Sequence, residues 1–290
     1  MKGSVVAIGT FDGVHIGHQR ILKDAISFSK RKKLKSYAIT FDPHPQQFIV
    51  PERGLKLLTT LKERKELLLG MGIDKVKVIK FNQALQKLSY ERFVEKYLIR
   101  GLKAEVVFAG FDFAFGRGRS GKISDLRRLG SALGFKVKMV RPVKFNNHII
   151  KSSLIRELAA HGNFNKAVKL LGHPYIISGR VRHGVGRGKS IGIPTANLEV
   201  DRHKLIPQQG VYFGVVGKKK CVVNIGSRPT FGASATEIEV HLLRRAGNLY
   251  GRPLKVGLIK KIRDEIQFSD VRKLKERILK DIAIARRAVV

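Results

Sequence analysis

One segment of the chain carries most of the information about its fold: Gly9-Thr10-Phe11-Asp12-Gly13-Val14-His15-Ile16-Gly17-His18. It follows the apolar run Ser4–Ile8, which predicts a buried strand, and it leads into a stretch from about Ile16 to Lys30 with helical spacing of its apolar residues. A strand, a glycine-rich turn and a helix form the first unit of a parallel α/β sheet. Ligands bind beyond the carboxyl ends of strands in such sheets, where glycines let backbone amides approach a phosphate and the helix N-terminus attracts its charge.

The two histidines of this segment suggest what the site does. His15 and His18 lie three residues apart, on one face of the predicted helix. Their imidazoles can donate hydrogen bonds to phosphate oxygens and stabilise the charge that develops on a transferred group. A metal-binding pair and two incidental histidines are the competing interpretations. The position between a strand and a helix favours the phosphate interpretation.

The rest of the first half continues to alternate strands and helices. Further strands are predicted at Ser36–Phe41, Lys75–Phe81, Glu105–Ala109 and Lys136–Val140. The capping box Thr60-Leu61-Lys62-Glu63 predicts a helix that ends at Gly70 or Gly72, and more helices are predicted near residues 90–100 and 123–133. This order indicates a doubly wound, Rossmann-like α/β domain.

The second half has a different pattern. Short apolar runs separated by Gly and Pro predict the strands of a small antiparallel β-barrel; they read YIISGRV, GVYFGVV, KCVVNIG, EIEVHLL and LKVGLIKKI. A terminal helix follows, for which the sequence predicts Ser269 as N-cap and an inner face of Val271, Leu274, Ile278, Ile282 and Ala285. The change of pattern predicts domains at 1–160 and 174–290, joined by a connecting segment at 161–173.

Composition excludes several classes of protein. The chain has 290 residues, 43% of them hydrophobic, which is enough for ordinary cores, and no apolar run approaches the roughly 18 residues of a membrane span. The first residues lack the layout of a secretory signal. Cys221 is the single cysteine, so an internal disulfide and a cysteine-based zinc site are excluded, and we expect a reducing, cytoplasmic location.

The charge of the chain is unusual, because 58 Lys and Arg stand against 22 Asp and Glu, a formal net charge of +36. Residues 1–172 hold 34 basic and 13 acidic residues, and residues 173–290 hold 24 and 9. The excess is therefore not concentrated in a basic tail. Nucleic acid bound across a folded face remains an alternative that the motifs do not favour, and no membrane partner is expected.

Four motifs of the first half occur in the order of a known family. They are the segment 9–19 (GTFDGVHIGHQ), Phe41–Pro45 (FDPHP), Gly110–Gly116 (GFDFAFG) followed by Arg117 and Arg119, and Ser152–Arg156 (SSLIR). Together they resemble the HxGH nucleotidyltransferase half of the bacterial bifunctional riboflavin kinase/FAD synthetases. The family usually has one more Ser before the last motif, where this chain has Lys151, and a basic residue can still meet phosphate.

The resemblance implies adenylyl transfer from ATP to FMN, which gives FAD and pyrophosphate. It implies that His15 and His18 act on the ATP phosphates and the transition state, and that Asp112, Phe113 and Arg119 contact the flavin. A loop acid and a core aromatic are the simpler explanations for Asp112 and Phe113. The residues that it implies for ATP and phosphate binding are Gly9, Thr10, Phe11, Asp12, Gly13, Ser152, Ser153 and Arg156.

The second half carries a glycine-rich, basic segment at 184–190 (GVGRGKS). It lacks the spacing of a P-loop, since the position five before Gly188 is His183, and Pro194 prevents a following helix. We therefore predict a flap that contacts ATP phosphates through Gly184, Gly186, Gly188 and Lys189. The adjacent Pro194–Asn197 (PTAN) resembles the Mg-nucleotide site of the riboflavin kinase domain, which implies that Thr195 and Asn197 bind Mg²⁺ through hard oxygen ligands.

The segments 224–231 and 237–243 complete the resemblance, which implies that Glu239 is the general base that takes a proton from the ribityl 5′-hydroxyl of riboflavin. An acid on a barrel strand is otherwise usually a solvated surface residue. Where the family has an Asp-Phe pair and a later Asp, this chain has Arg244, Arg245 and Asn248. These departures bear on flavin affinity more than on phosphoryl chemistry.

The sequence thus predicts a bifunctional enzyme of flavin cofactor biosynthesis, with ATP as co-substrate and riboflavin, FMN and FAD as substrates and products. Three alternatives stay open: an FMN adenylyltransferase with an impaired kinase half, another HxGH adenylyltransferase with a single activity, and a nucleic-acid-binding protein on a degenerate enzyme scaffold. The barrel half argues against a single activity, because the HxGH enzymes that act on pantetheine phosphate or nicotinate mononucleotide lack it.

Overall fold

The computed structural model describes residues 3–183, 192–227, 236–244, 247–268 and 270–289. The chain separates into two compact units, Met1–Ser152 and Ser153–Val290. This division comes before the connecting segment 161–173 that the sequence predicts, because the helix that begins at Ser152 is assigned almost wholly to the second unit.

The first unit contains a parallel sheet of five strands. They are β1 (Ser4–Ile8), β2 (Lys35–Asp42), β3 (Lys75–Lys80), β4 (Ala104–Gly110) and β5 (Lys136–Val140), in the order β3-β2-β1-β4-β5. The strand order changes direction between β1 and β4, which is the point where doubly wound sheets bind their ligands. The predicted fold class of this half is confirmed.

Helices connect these strands. They are α1 (Ile16–Lys32), α2 (Pro45–Ile49), α3 (Leu61–Gly70), α4 (Gln83–Lys87), α5 (Tyr90–Phe93) and α6 (Ile123–Leu133). The helix expected near 90–100 changes to π-helical winding over Val94–Arg100. The capping box at the start of α3 is present: Thr60 Oγ1 accepts from the Glu63 amide, and Glu63 Oε2 accepts from the Thr60 amide. The strands β6 (Lys144–Phe145) and β7 (His148–Ile149) form a short hairpin.

The sheet is covered on both faces. On one face, Leu22 and Ala25 of α1 pack against Val5 and Ala7 of β1, as the helical spacing predicts. On the other face, a cluster of buried aromatic and aliphatic side chains includes Phe93, Leu98, Phe115 and Leu126. Burial of β1 on both sides fixes its position, and with it the position of the loop that follows.

The second unit begins with α7 (Ser152–Ala160) and α8 (Phe164–Leu171) and contains a closed antiparallel barrel. Its strands are β8 (Tyr175–Arg182), β9 (Ala196–Val200), β10 (Gly210–Val216), β11 (Lys219–Ser227), β12 (Thr236–Leu242) and β13 (Pro253–Arg263), in the order β10-β11-β12-β9-β8-β13. The barrel is confirmed. The sequence analysis missed β9, which lies between β8 and β12.

The terminal helix α9 spans Val271–Arg287. Its N-cap is Asp270, whose carboxylate accepts from the Arg272 amide, so the expected cap at Ser269 is wrong by one residue; Ser269 itself lies outside the described residues. Val271 is 62% exposed and does not belong to the inner face, whereas Ile282 and Ala285 are buried against the barrel. Within the described ranges, no helix is long and apolar enough to cross a membrane.

Two candidate nucleotide sites

The first candidate site is the loop after β1, whose backbone is strained. Phe11, Gly13 and Val14 have φ values of 51°, 79° and 39°, in the left-handed region. For Phe11 and Val14 this conformation is costly, since both carry a Cβ, and such residues persist where their surroundings fix them. Their side chains are buried in the core beside α1.

Asp12 anchors this loop from within. The side chain is fully buried; Oδ1 accepts from the amide and the hydroxyl of Thr59 at 2.9 and 3.0 Å, and Oδ2 accepts from the Leu58 amide at 3.1 Å. The Thr59 hydroxyl also accepts from the Gly13 amide at 3.0 Å. These hydrogen bonds give the Asp12 carboxylate an anchoring role in the loop. The phosphate contact expected for Asp12 stays a prediction.

The two histidines stand together at the start of α1. His15 is the N-cap and nearly fully buried, and its Nδ1 accepts from the His18 amide at 3.4 Å. Because Nδ1 accepts, a neutral His15 ring carries its proton on Nε2. The two rings stack with centroids 3.7 Å apart, and the Phe11 ring meets His18 edge-on at 5.3 Å. The structure brings together the pair that the sequence predicts to act on phosphate.

Ser152, the last residue of the first unit, also contacts this loop. Its hydroxyl donates to the Asp12 carbonyl at 2.9 Å. The phosphate role expected for Ser152 stays a prediction. Ser153 and Arg156 lie in the first turns of α7, and their phosphate roles stay predictions.

The predicted flavin residues follow β4, the neighbour of β1 in the sheet. Asp112 and Arg119 are exposed, and Phe113 is half-buried, with its ring stacked on that of Phe115 at 5.2 Å. Since β1 and β4 are parallel neighbours, their following loops emerge at one edge of the sheet. That placement is what a site for ATP and FMN requires, while the individual flavin contacts stay predictions.

The sequence analysis missed two residues that support this site, Thr59 and Arg64. Arg64 lies on α3, is fully buried, and donates to the carbonyls of Thr10 and Phe41. The local sequence shows a capping box and a charged helix, and it gives no sign that this arginine faces inward.

The second candidate site lies on the barrel. Thr195 Oγ1 donates to Glu239 Oε1 at 3.3 Å, and Asn197 is directly opposite Glu239 in the register of β9 and β12. Asn224 of β11 is opposite Glu239 on its other side. Three elements thus place a hydroxyl, two amides and a carboxylate in one row, where the sequence predicts the phosphoryl-transfer site.

The oxygen atoms of this row fit a hard divalent cation such as Mg²⁺. Asn197 is 9% exposed, and its Oδ1 has no hydrogen-bond partner among the residues that the structure describes. A buried amide oxygen without a partner is unfavourable unless a ligand occupies it. With the Thr195 hydroxyl and the Glu239 carboxylate beside it, the donor set is made of oxygens, which Mg²⁺ prefers.

A cavity of about 460 Å³ lies between α9, the segment that precedes Pro194, and His241 of β12. Its lining consists of Gly192, Ile193, His241, Leu279, Ile282, Ala283, Arg286 and Arg287. His241 lies two residues after Glu239 on the same face of β12, and its Nδ1 is 2.9 Å from the Pro194 carbonyl. Sequence reasoning missed this cavity, because its walls come from segments far apart in the chain.

Several predicted residues lie outside the described residues: Gly184, Gly186, Gly188, Lys189 and Arg245. Of the other departures from the family pattern, Arg244 is exposed. The Asn248 side chain accepts from the Tyr250 amide at 3.0 Å, a contact that an Asp at this position would also make.

Comparisons with known proteins match each half of the chain to a separate family. Residues 1–154 match the family of FAD synthetases, and residues 171–289 match the family of riboflavin kinases. A bifunctional riboflavin kinase/FMN adenylyltransferase from Buchnera aphidicola subsp. Schizaphis graminum is 39% identical over 295 residues, covering 99% of this chain and 94% of the relative. The chain belongs to the family of bifunctional riboflavin kinases/FMN adenylyltransferases.

Further members of this family and a solved structure extend the match over the whole chain. The bifunctional riboflavin kinase/FMN adenylyltransferase of Escherichia coli K12 is 36% identical over 290 residues, covering 98% of this chain and 92% of the relative. A crystal structure described as a macrolide-efflux protein from Streptococcus pneumoniae superposes with a TM-score of 0.88 at 28% identity, covering all of this chain and 96% of that one. The family assignment therefore applies to both halves.

Proposed function

We propose that this chain phosphorylates riboflavin to FMN with ATP in its barrel unit and adenylylates FMN to FAD in its α/β unit. The observation that carries the proposal is that each half of the chain matches a separate enzyme family. The stacking of His15 on His18 and the contact of Thr195 with Glu239 support it. The stacked His15 and His18 belong to one reaction, and the cluster of Thr195, Asn197 and Glu239 belongs to the other.

In the adenylyl transfer, an oxygen of the FMN phosphate attacks the α-phosphorus of ATP, and the bond to the bridging oxygen of the β-phosphate breaks to release pyrophosphate. No covalent intermediate with the protein is needed, so the protein acts by positioning and by stabilising charge. His15 donates from Nε2 to the phosphate oxygens, and His18 stacks on it at the N-terminus of α1. The amides of residues 9–13 line the same loop, and the family resemblance adds Ser153 and Arg156 for the pyrophosphate.

In the kinase reaction, Glu239 accepts the proton of the riboflavin 5′-hydroxyl as that oxygen attacks the γ-phosphorus of ATP, and ADP leaves. The hydrogen bond from Thr195 orients the carboxylate. Thr195 and Asn197 would hold Mg²⁺, which neutralises charge on the ATP phosphates when it is bound. Each of these side chains comes from β9, β12 or the turn before β9, so the barrel fixes their spacing.

We propose that the isoalloxazine ring of riboflavin binds in the cavity beside α9. Its walls are apolar at Ile193, Leu279 and Ile282, and a volume of about 460 Å³ lies in the range of small-ligand sites. It reaches His241. This residue comes two positions after Glu239 on β12, so the two residues lie roughly 7 Å apart along the strand. A ring bound there leaves the ribityl chain free to extend towards the carboxylate.

The proposal is tested by incubating the purified protein with riboflavin, ATP and Mg²⁺ and separating the flavins by chromatography. We expect FMN to appear first and FAD to follow. If FAD forms from added FMN while riboflavin stays unchanged, the kinase half is impaired, in line with the departures at Arg244, Arg245 and Asn248. If neither product forms, the proposal is wrong.

A further inference from the structure

Arg64 is a buried cation directly beneath the loop that carries the histidines. Its residue is 0% exposed, Nη1 donates to the Thr10 carbonyl at 3.1 Å, and Nη2 donates to the Phe41 carbonyl at 3.0 Å. These carbonyls lie at the carboxyl ends of the neighbouring strands β1 and β2. One guanidinium therefore ties together the two strand ends that border the candidate ATP site.

The bond to Thr10 determines the direction of a peptide group. The Thr10 carbonyl accepts both from Arg64 and from the Thr40 hydroxyl, the latter at 2.8 Å. In a trans peptide the carbonyl and the following amide point in opposite directions. With the Thr10 carbonyl turned towards Arg64, the Phe11 amide is turned away from it, at the point where the left-handed segment of the loop begins.

The free-energy cost of burying this charge indicates that Arg64 does more than fill space in the core. Transfer of a guanidinium from water to a protein interior costs several kcal/mol, and apolar side chains of similar volume often replace buried ions without loss of stability. Burial lowers the pKa of Arg64, and the carboxylates of Asp12 and Asp42 oppose that shift. The same interior thus holds the anchoring Asp12 and the cation that compensates its charge.

We propose that Arg64 is a positioning residue for adenylyl transfer: it holds the Thr10–Phe11 peptide with the carbonyl inward, so that the Phe11 amide and the turn leading to His15 face the ATP phosphates. Arg64 contacts no substrate itself and acts through the backbone of the loop. The inference rests on the proposed function, since it concerns the ATP site of the FMN adenylyltransferase reaction.

The test compares Arg64→Met and Arg64→Lys with Lys65→Met as control. Lys65 is the next residue of α3 and is exposed, so its replacement removes one positive charge from the same helix and leaves the hydrogen bonds intact. Both activities are measured on each preparation of the full chain. We expect Arg64→Met to raise KM for ATP in FAD formation by about 10-fold or more, as the loss of charged hydrogen bonds implies. Riboflavin phosphorylation stays within about twofold, and Arg64→Lys recovers part of the loss, because lysine still donates to a carbonyl.

A second variant acts on the same carbonyl without removing a charge. Thr40→Val keeps the shape of a buried side chain and deletes the other donor to the Thr10 carbonyl. If the orientation of this peptide matters, Thr40→Val also raises KM for ATP in FAD formation and leaves riboflavin phosphorylation unchanged. If Arg64→Met does not fold, Thr40→Val still tests the positioning role.

A readout without turnover separates this inference from the proposed function. In the wild-type chain we expect ATP to slow amide hydrogen exchange across residues 9–15, and we expect Arg64→Met and Thr40→Val to lose that protection. If the wild-type chain forms no FAD but shows the protection, and both variants lose it, the proposed reaction is wrong while Arg64 still positions the loop for ATP. The positioning role is overturned if Thr40→Val keeps both the KM and the protection of the wild type, or if Arg64→Lys is no better than Arg64→Met.

Discussion

Thr195 donates its hydroxyl hydrogen bond to the carboxylate of Glu239 at 3.3 Å, across 44 positions of sequence. The contact exists because β9 pairs with β12, which also places Asn197 opposite the same glutamate. A hydrogen bond from a neutral donor restricts the rotation of the carboxylate, as a general base requires. The barrel therefore holds the proposed base and the proposed oxygen ligands in one fixed row.

We expect Glu239→Gln to abolish riboflavin phosphorylation and to leave the conversion of FMN to FAD intact. Glutamine keeps the shape and cannot accept the proton, so the kinase rate should fall by about 100-fold to 10,000-fold. Flavin chromatography from riboflavin and from FMN measures the two steps separately. The matched control is Glu199→Gln, a barrel acid that pairs with Arg182 at the surface and should change neither step. Loss of both steps in Glu239→Gln would contradict two separate sites.

We expect the reverse pattern for His15→Asn. Asparagine can still cap α1, but it cannot present the Nε2 donor of the imidazole, so FAD formation should fall by about 100-fold to 1,000-fold while FMN formation continues. His148→Asn is the control, since His148 is an exposed histidine on the short hairpin of the same unit. If His15→Asn and the wild type form FAD at equal rates, His15 does not take part in the reaction.

The elements around both sites could be predicted from local patterns. The capping box at Thr60 and the apolar spacing of α1 are signals that neighbouring residues carry, and both are confirmed. Strand β9 was not predicted, because three of its five residues, Ala196, Asn197 and Glu199, are of types that are depleted in strands.

The side-chain contacts that could not be predicted from the sequence involve partners that are distant along the chain. We expected Asp12 to contact a phosphate. Its hydrogen-bond partner Thr59 lies 47 residues away, and the sequence near Asp12 does not indicate that contact. The same holds for Ser152, whose hydroxyl reaches the Asp12 carbonyl from 140 residues away. The motifs point to the loop after β1, and long-range hydrogen bonds determine which of its atoms remain available to a ligand.

We expect Gly17→Ala to reduce FAD formation several-fold without destabilising the chain. A Cβ at Gly17 would lie 3.1 Å from the His15 ring, closer than ordinary contact, so the ring must shift and its stacking on His18 changes. Alanine also favours the helix by up to about 1 kcal/mol, which offsets the crowding in the free energy of unfolding. Gly70→Ala serves as the control, because a Cβ there meets nothing within 4 Å. Steady-state kinetics together with the melting temperature separate the two effects. Unchanged kinetics would mean that the spacing of the histidine pair is not critical.

We expect Asp281→Ala to destabilise the barrel unit by about 3 kcal/mol or more, because it leaves the largely buried Arg263 without its carboxylate. Asp281 is 1% exposed and binds Arg263 through both oxygens, which attaches α9 to β13. Since α9 forms one wall of the cavity, KM for riboflavin should rise as well. Glu199→Ala is the control: its ion pair with Arg182 is exposed and should contribute less than about 1 kcal/mol. Urea denaturation of both variants measures the difference, and similar losses would contradict the role of the buried pair.

We expect the single cysteine, Cys221, to stay unreactive until the barrel opens. The thiol is fully buried on β11, and burial raises its pKa to about 12, so the reactive thiolate is scarce in the folded chain. In the unfolded chain the thiol ionises near its ordinary value of about 8.5. The stabilisation from the buried neutral thiol is therefore complete below that pH and is lost as the pH rises towards 12.

Thiol labelling during urea unfolding should follow the unfolding transition. The fall in the urea midpoint between pH 7 and pH 9.5 should be smaller in Cys221→Ala than in the wild type. Rapid labelling in native buffer at pH 7 would show that β11 is accessible without unfolding.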